Sequence, residues 1–139
     1  MSANENRRVV ERLLTAFTDR DLESAKRALA QDFVNHDPPR LPGVGTDRAG
    51  VLAAIEYLHS AFAGARAEPV TILAEGDKVA VHDRLRGTHR GDFLGIPPTG
   101  RDVTVHTKAG KLRVEWPENG RLKLTSTATV VAEGRYLEG

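Results

Sequence analysis

A chain of 139 residues, 40% hydrophobic and 28% charged, has the length of one domain and the make-up of an ordinary globular fold, so residues 1–139 are read as a single domain. Twenty Lys and Arg against 19 Asp and Glu leave no overall basic field for nucleic acid, and the absence of cysteine excludes disulfides, thiolate nucleophiles and Cys-built zinc sites. No apolar run approaches the ~18 residues that cross a bilayer, and Met1 to Arg8 lacks the apolar stretch of a signal peptide, so a cytoplasmic protein without nucleic-acid or membrane partners is expected.

Val9, Val10, Leu13, Leu14 and Phe17 recur at helical spacing among Arg7, Arg8, Glu11, Arg12 and Asp19, which predicts an amphipathic helix from Asn4 to Arg20, capped by Asn4. Asp21 stands where a second cap belongs, ahead of Leu22, Ala25, Leu29 and Ala30, and predicts a short helix ending near Gln31. Three prolines and two glycines between Phe33 and Gly45 exclude regular structure there and predict a loop. Thr46 or Asp47 caps a third helix whose stripe is Val51, Leu52, Ile55, Leu58 and Phe62, and that helix is expected to cover the concave side of a sheet.

After Gly64 the pattern changes to strands: Val70–Leu73, a turn at Glu75-Gly76-Asp77, Val79–Leu85, Val103–His106, Leu112 to Trp116, a turn at Pro117 to Gly120, and Leu122–Val131. Helices followed by an antiparallel meander make an α+β plan, and strands curved over helices make a cone with an interior. Between two of these strands lies Arg86-Gly87-Thr88-His89-Arg90-Gly91-Asp92-Phe93-Leu94-Gly95-Ile96-Pro97-Pro98-Thr99-Gly100-Arg101. Pro97 and Pro98 fix two successive φ angles and Gly100 permits a reversal, so this connection is stiff and is expected at the mouth of a pocket. From Arg84 to Lys123 nine basic residues face four acidic ones, a local charge of +5 that fits a solvated sheet face or an anionic ligand.

Strand parity puts Val79, Val81, Asp83, Leu85 and His89 on one face and Ala80, His82, Arg84 and Arg86 on the other. Asp83 then interrupts the inward apolar face, where a carboxylate must be paired, hydrogen-bonded or raised in pKa, and it is the candidate general acid/base. His89 keeps the same side unless Gly87 introduces a bulge. Asn35-His36-Asp37-Pro38 is the other polar cluster: Asn35 and Asp37 suit loop-fixing Asx turns, whereas His36 can exchange a proton near neutral pH. His36, His59, His82, His89 and His106 show no ligand spacing, and no nucleophile elbow, P-loop or dinucleotide fingerprint occurs, so no metal and no protein-bound cofactor are expected.

Phe33-Val34-Asn35-His36-Asp37-Pro38, Ala74-Glu75-Gly76-Asp77-Lys78-Val79-Ala80-Val81, and Arg86-Gly87-Thr88-His89 through Gly95-Ile96-Pro97-Pro98-Thr99-Gly100-Arg101 together resemble the SnoaL-like polyketide cyclases of the NTF2-like, ketosteroid-isomerase-like superfamily. With the helix pattern the resemblance covers residues 5 to 106. It implies three helices packed on a strongly curved antiparallel sheet around an apolar pocket, dimerisation through the sheet, and cofactor-free acid/base chemistry on a small apolar or polycyclic carbonyl compound. Asp83 and His36 are the candidate catalytic residues, and Asn35, Phe33, Tyr57, His89, Phe93 and Trp116 the candidate lining of the pocket. The family's last strand carries a His-Trp-Asp-like cluster whose Asp is the acid/base in characterised cyclases; here Thr125, Ser126 and Thr127 stand at those places, and no carboxylate occurs between Glu118 and Glu133. Two readings follow, an enzyme of the cyclase or isomerase type and a binding or dimerisation module that keeps the pocket without the chemistry.

Overall fold

The structure, a computed structural model, describes residues 2–36, 38–106, 112–115 and 123–126. Helix α1 spans Ala3–Asp19. Its cap is Ser2 rather than Asn4: the Ser2 hydroxyl accepts from the Glu5 N–H at 3.2 Å and the Glu5 carboxylate accepts from the Ser2 N–H at 3.3 Å, so Glu5 completes a reciprocal box that Asn4 has no partner to form. Arg20 ends the helix in left-handed backbone, φ 53°, and its guanidinium forms a two-pronged pair with Glu56 at 2.8 Å. Helix α2, Leu22–Ala28, begins on the Asp21 cap as expected but stops short of Gln31, because Leu29 turns extended and drives its side chain into the core. Strand β1, Val34–Asn35, opens the Pro-rich loop, which the Asn35 N–H closes on the Thr46 carbonyl at 2.7 Å. Helix α3, Arg48–Ala61, is capped by Asp47, whose carboxylate accepts from the Gly50 N–H at 2.9 Å.

Phe62 leads from α3 into strand β2, Phe62–Glu75, without a connecting loop, so this strand starts well before the predicted Val70. Gly76, at φ 57°, turns the chain into β3, Lys78–His89. Strand β4, Asp102–His106, pairs antiparallel with the second half of β3, and β5, Leu112–Glu115, pairs with its first three residues. Strand β6, Lys123–Ser126, pairs with β5, and the remainder of the predicted Leu122–Val131 strand lies outside the described residues. The order is β1-β6-β5-β3-β2, antiparallel except for the short β1·β6 contact.

Both register shifts between β2 and β3 fall in β2, which carries an extra residue between Ala63 and Arg66 and another between Pro69 and Thr71. The irregularity expected at Gly87 is therefore absent from β3, and its alternation runs unbroken to His89. Bulges, Pro69 and the charges of Arg66, Glu68 and Glu75 also suit β2 to the edge of the sheet, where a long regular strand would recruit another.

The main core joins Val10, Leu29, Phe33, Ile72, Val79 and Val81, flanked by Val9, Leu13 and Leu14. Each such side chain contributes roughly 1.5–3 kcal/mol relative to exposure. The helix laid along the inward face of β2 and β3 is thus mainly α1, and α3, expected to cover that face, reaches it only through Val51 and, beside Leu85, Leu58. Only Ile55 and the helix-end Ala61 of the α3 apolar positions are fully buried; Val51, Leu58 and Phe62 are half-buried. Ile55 meets Ala16 and Ala25 of α1 and α2, because the small residues there let three helices approach closely. Among the described residues no helix is long and apolar enough to cross a membrane.

Candidate functional site

The regularity of β3 decides which polar groups face inward. Asp83 lies on the same face as Val79, Val81 and His89, with Pro69 of β2 as its cross-strand neighbour. It is half-buried, and desolvation raises its pKa above the ordinary aspartate value against smaller opposing pulls from the His82 charge and a backbone hydrogen bond. A carboxylate so placed takes up a proton more readily than one in water.

Beside it, a cleft of about 280 Å³ opens between α1 and β2, lined by Leu14, Thr18, Ala67, Pro69 and Ile72 with Glu11 and Thr15. Three of those β2 residues, Ala67, Pro69 and Ile72, are the cross-strand partners of Leu85, Asp83 and Val81. Cross-strand side chains start about 5 Å apart, so the cleft runs along the row that contains Asp83. Thr18 holds the bulged strand against α1, its hydroxyl accepting from the Ala67 N–H at 3.0 Å.

The second assembly is the stiff connection after β3. Phe93 is buried with Leu41 and Ala61, and its ring stands 6.0 Å from Tyr57 and 5.2 Å from Phe62. The N–H groups of Arg90 and Gly91 both donate to the Ala61 carbonyl, at 3.1 and 3.0 Å, so the end of α3 grips the start of the loop. Phe93 and Ile96 exchange backbone hydrogen bonds at 3.0 and 2.8 Å around Leu94 and Gly95, and the Asp92 carboxylate accepts from the Gly95 N–H. Gly100 adopts φ 71°, the reversal its position predicts, and its N–H donates to the His89 carbonyl at 2.8 Å. A small, partly open recess of about 30 Å³ is bounded by Phe17, Leu58, Phe62, Leu85 and Val103.

The predicted site residues thus divide. Asp83 and His89 share the inward face but lie six residues apart, a span of ~20 Å at ~3.3 Å per residue. Tyr57 and Phe93 belong with the loop, while Phe33 is a core residue packed with Val10 and Val79. Asn35 is buried, His36 is exposed just past β1, and Trp116 lies outside the described residues. Neither Asp83, His36 nor His89 bounds the cavities above. Sequence reasoning missed Thr99, whose hydroxyl reaches His89 at 3.1 Å, and Thr18; a lone Thr carries no periodic signal, so neither was legible.

With this geometry in view, the profile of the SnoaL-like polyketide cyclases matches residues 7–115. The chain belongs to that family. Among solved structures, IdmH of Streptomyces antibioticus, a proposed polyketide cyclase, is 29% identical, with a TM-score of 0.68 over 88% of this chain and 91% of that one. TsrD of Streptomyces laurentii is 20% identical with a TM-score of 0.74 over 90% and 88%, and AclR of Streptomyces galilaeus, a proposed hydroxylase, is 23% identical with a TM-score of 0.71 over 88% and 77%. The last two likenesses are of fold. Diaminopimelate epimerases of Pelotomaculum thermopropionicum and Bacillus subtilis are 50% identical over 38 residues and 38% identical over 42, matches that span only 14% and 15% of those proteins. For this SnoaL-like chain the three helices and curved antiparallel sheet are those of the NTF2-like cone, and the family's type of function is small-molecule cyclisation or isomerisation.

Proposed function

We propose that the chain binds a small apolar carbonyl compound along the inward face of β2 and β3, and that Asp83 removes a proton from the carbon next to the carbonyl. The observation that carries this reading is a carboxylate raised by burial on an apolar face, one cross-strand step from a cleft of about 280 Å³. The Asp83 carboxylate takes the proton, the C–H electron pair becomes the enolate, and the apolar walls keep water from quenching it. In an isomerisation the proton returns to another carbon of the same ligand; in a cyclisation the enolate carbon bonds to a second carbonyl carbon, whose oxygen takes the proton. Neither route needs a cofactor. His36 has the lesser part of orienting the ligand, and the working unit is a cytoplasmic homodimer joined through the sheet.

A second reading, a carrier or sensor with the pocket and without the chemistry, is favoured by Thr125, Ser126 and Thr127 standing where the family's acidic cluster belongs. Proton–deuterium exchange at the α-carbon of 1-tetralone in heavy water separates the two. The enzyme reading expects exchange catalysed by the wild type, slowed about 10²- to 10⁴-fold in Asp83→Asn and less in His36→Gln. Binding of the ketone without catalysed exchange would leave the carrier reading.

A further inference from the structure

Between α1 and α2 lies a larger cleft of about 720 Å³, a size within the range of small-molecule sites. Small residues make it. Thr15 and Ala16 on α1, with Ala28 and Ala30 facing them, leave a hollow that longer side chains would fill. Arg8 and Arg12 stand on one wall and Arg27 on the other.

Three carboxylates also border this cleft, Glu11, Asp19 and Asp21, but two of them are engaged. Glu11 pairs with Arg7 at 3.2 Å, and Asp21 caps α2, accepting from the Ser24 N–H at 3.1 Å and the Ser24 hydroxyl at 2.6 Å. Asp19 stands at the far end, seven residues beyond Arg12 on the same helix, ~10 Å at ~1.5 Å per residue. Glu5, one turn before Arg8, accepts from the Ser2 N–H. Arg8, Arg12 and Arg27 form no ion pair within 4.0 Å among the described residues. Cations four residues apart on one helix repel each other, so Arg8 and Arg12 weaken α1 unless an anion lies between them. Arg27 is held ready for the same anion: its Nη2 donates to the Ser24 hydroxyl at 3.1 Å, and that hydroxyl donates in turn to Asp21.

We propose that the α1–α2 cleft binds an organic phosphate, with the phosphate held by Arg8, Arg12 and Arg27 and the uncharged body laid on Thr15, Ala16 and Ala28. Guanidinium groups match phosphate oxygens because they offer paired donors in one plane. Arginines on two walls suit a tetrahedral dianion, whose free oxygens accept from several directions, better than a planar carboxylate, which presents one edge. The arginines are exposed, so the ligand enters directly from solvent. This site is separate from the inward face of β2 and β3, and the proposal does not depend on Asp83 being a base.

Calorimetry and amide spectra of the intact protein with 1-naphthyl phosphate, at about pH 8 where the ester is a dianion, test the site. The ester should bind at least about ten-fold tighter than 1-naphthol, and tighter than 1-naphthoate, and should shift the amides of Thr15, Ala16 and Ala28. Arg12→Gln and Arg27→Gln should each weaken it about three- to ten-fold, whereas Arg84→Gln, which removes an equal charge from β3, should leave it unchanged. Equal weakening by Arg84→Gln would mean diffuse attraction to a cationic surface, and shifts confined to β2 and β3 would mean binding elsewhere. Either result overturns the proposal, as does an ester that binds no better than the alcohol; naphthoate binding as tightly as the ester overturns the assignment to phosphate. None of these outcomes bears on deuterium exchange at 1-tetralone, so this proposal and the acid/base reading fail separately.

Discussion

The Tyr57 hydroxyl accepts a hydrogen bond from the Leu94 N–H at 2.8 Å, and Leu94 sits in left-handed backbone at φ 51°. That conformation costs a residue with a Cβ roughly 1–2 kcal/mol, and nothing in the exposed Leu94 side chain recovers it. The bond from α3 offsets the strain and fixes the tip of the loop.

Tyr57→Phe keeps the ring against Phe93 and deletes the acceptor. Stability should fall by about 1 kcal/mol in urea titration, and the Leu94 amide should exchange with heavy water markedly faster while core amides are unchanged. Unaltered exchange at Leu94 would show that the loop holds its shape without Tyr57.

Two glycines of the same loop should respond unequally to alanine. A Cβ on Gly91 would meet the Ser60 carbonyl oxygen and lie 3.3 Å from the Ala61 Cα, whereas one on Gly95 meets nothing within 4 Å and suffers only its φ of 84°. Gly91→Ala should cost about 1–3 kcal/mol by overpacking, and Gly95→Ala about 1 kcal/mol. Equal midpoints in urea would count against the grip of α3 on the loop.

The raised pKa of Asp83 has a stability consequence opposite in sign to that of a salt-bridged aspartate. The folded state holds this proton to higher pH than the unfolded state, so its contribution is most favourable below the unfolded value of about 3.9 and is lost as pH rises through the folded one. Asp83→Asn should therefore match the wild type at about pH 3 and exceed it in stability at neutral pH, as measured by denaturation across that range. A mutant less stable at neutral pH would show that the interactions favouring the charged form outweigh the effect of burial.

Much of this fold was legible in one sequence. The apolar spacing of Val9 to Phe17, the Asp21 and Asp47 caps and the Gly76 turn each arise from local forces acting over a few residues. Alternation along Val79 to Leu85 likewise showed that Asp83 faces inward. What local forces do not settle was missed: that α1 covers more of the sheet than α3, that β2 begins directly at Phe62, and that its bulges leave β3 regular. The site was half-legible for the same reason. Asp83 follows from parity, whereas the Thr99 hydroxyl meets His89 only once the Pro-Pro turn has brought the chain back across ten residues.

Replacing Pro97 and Pro98 together by Ala should loosen that return. Each proline lowers the entropy of the unfolded chain by the equivalent of about 0.4–1 kcal/mol, so a modest stability loss is expected. The affinity for 1-tetralone, measured by calorimetry, should fall by a larger factor than stability accounts for. Wild-type affinity in the double mutant would remove the turn from the binding site.

Because both extra residues lie in β2, the two paired strands differ in what a change of length would do to them. Lengthening β2 alters the bend of the rim and leaves its neighbour's inner face intact. A single insertion in β3 would turn every later side chain to the opposite side. Asp83 and His89 share a face only while the number of residues between them, five here, stays odd, so the spacing along β3 tolerates insertion in pairs and not singly.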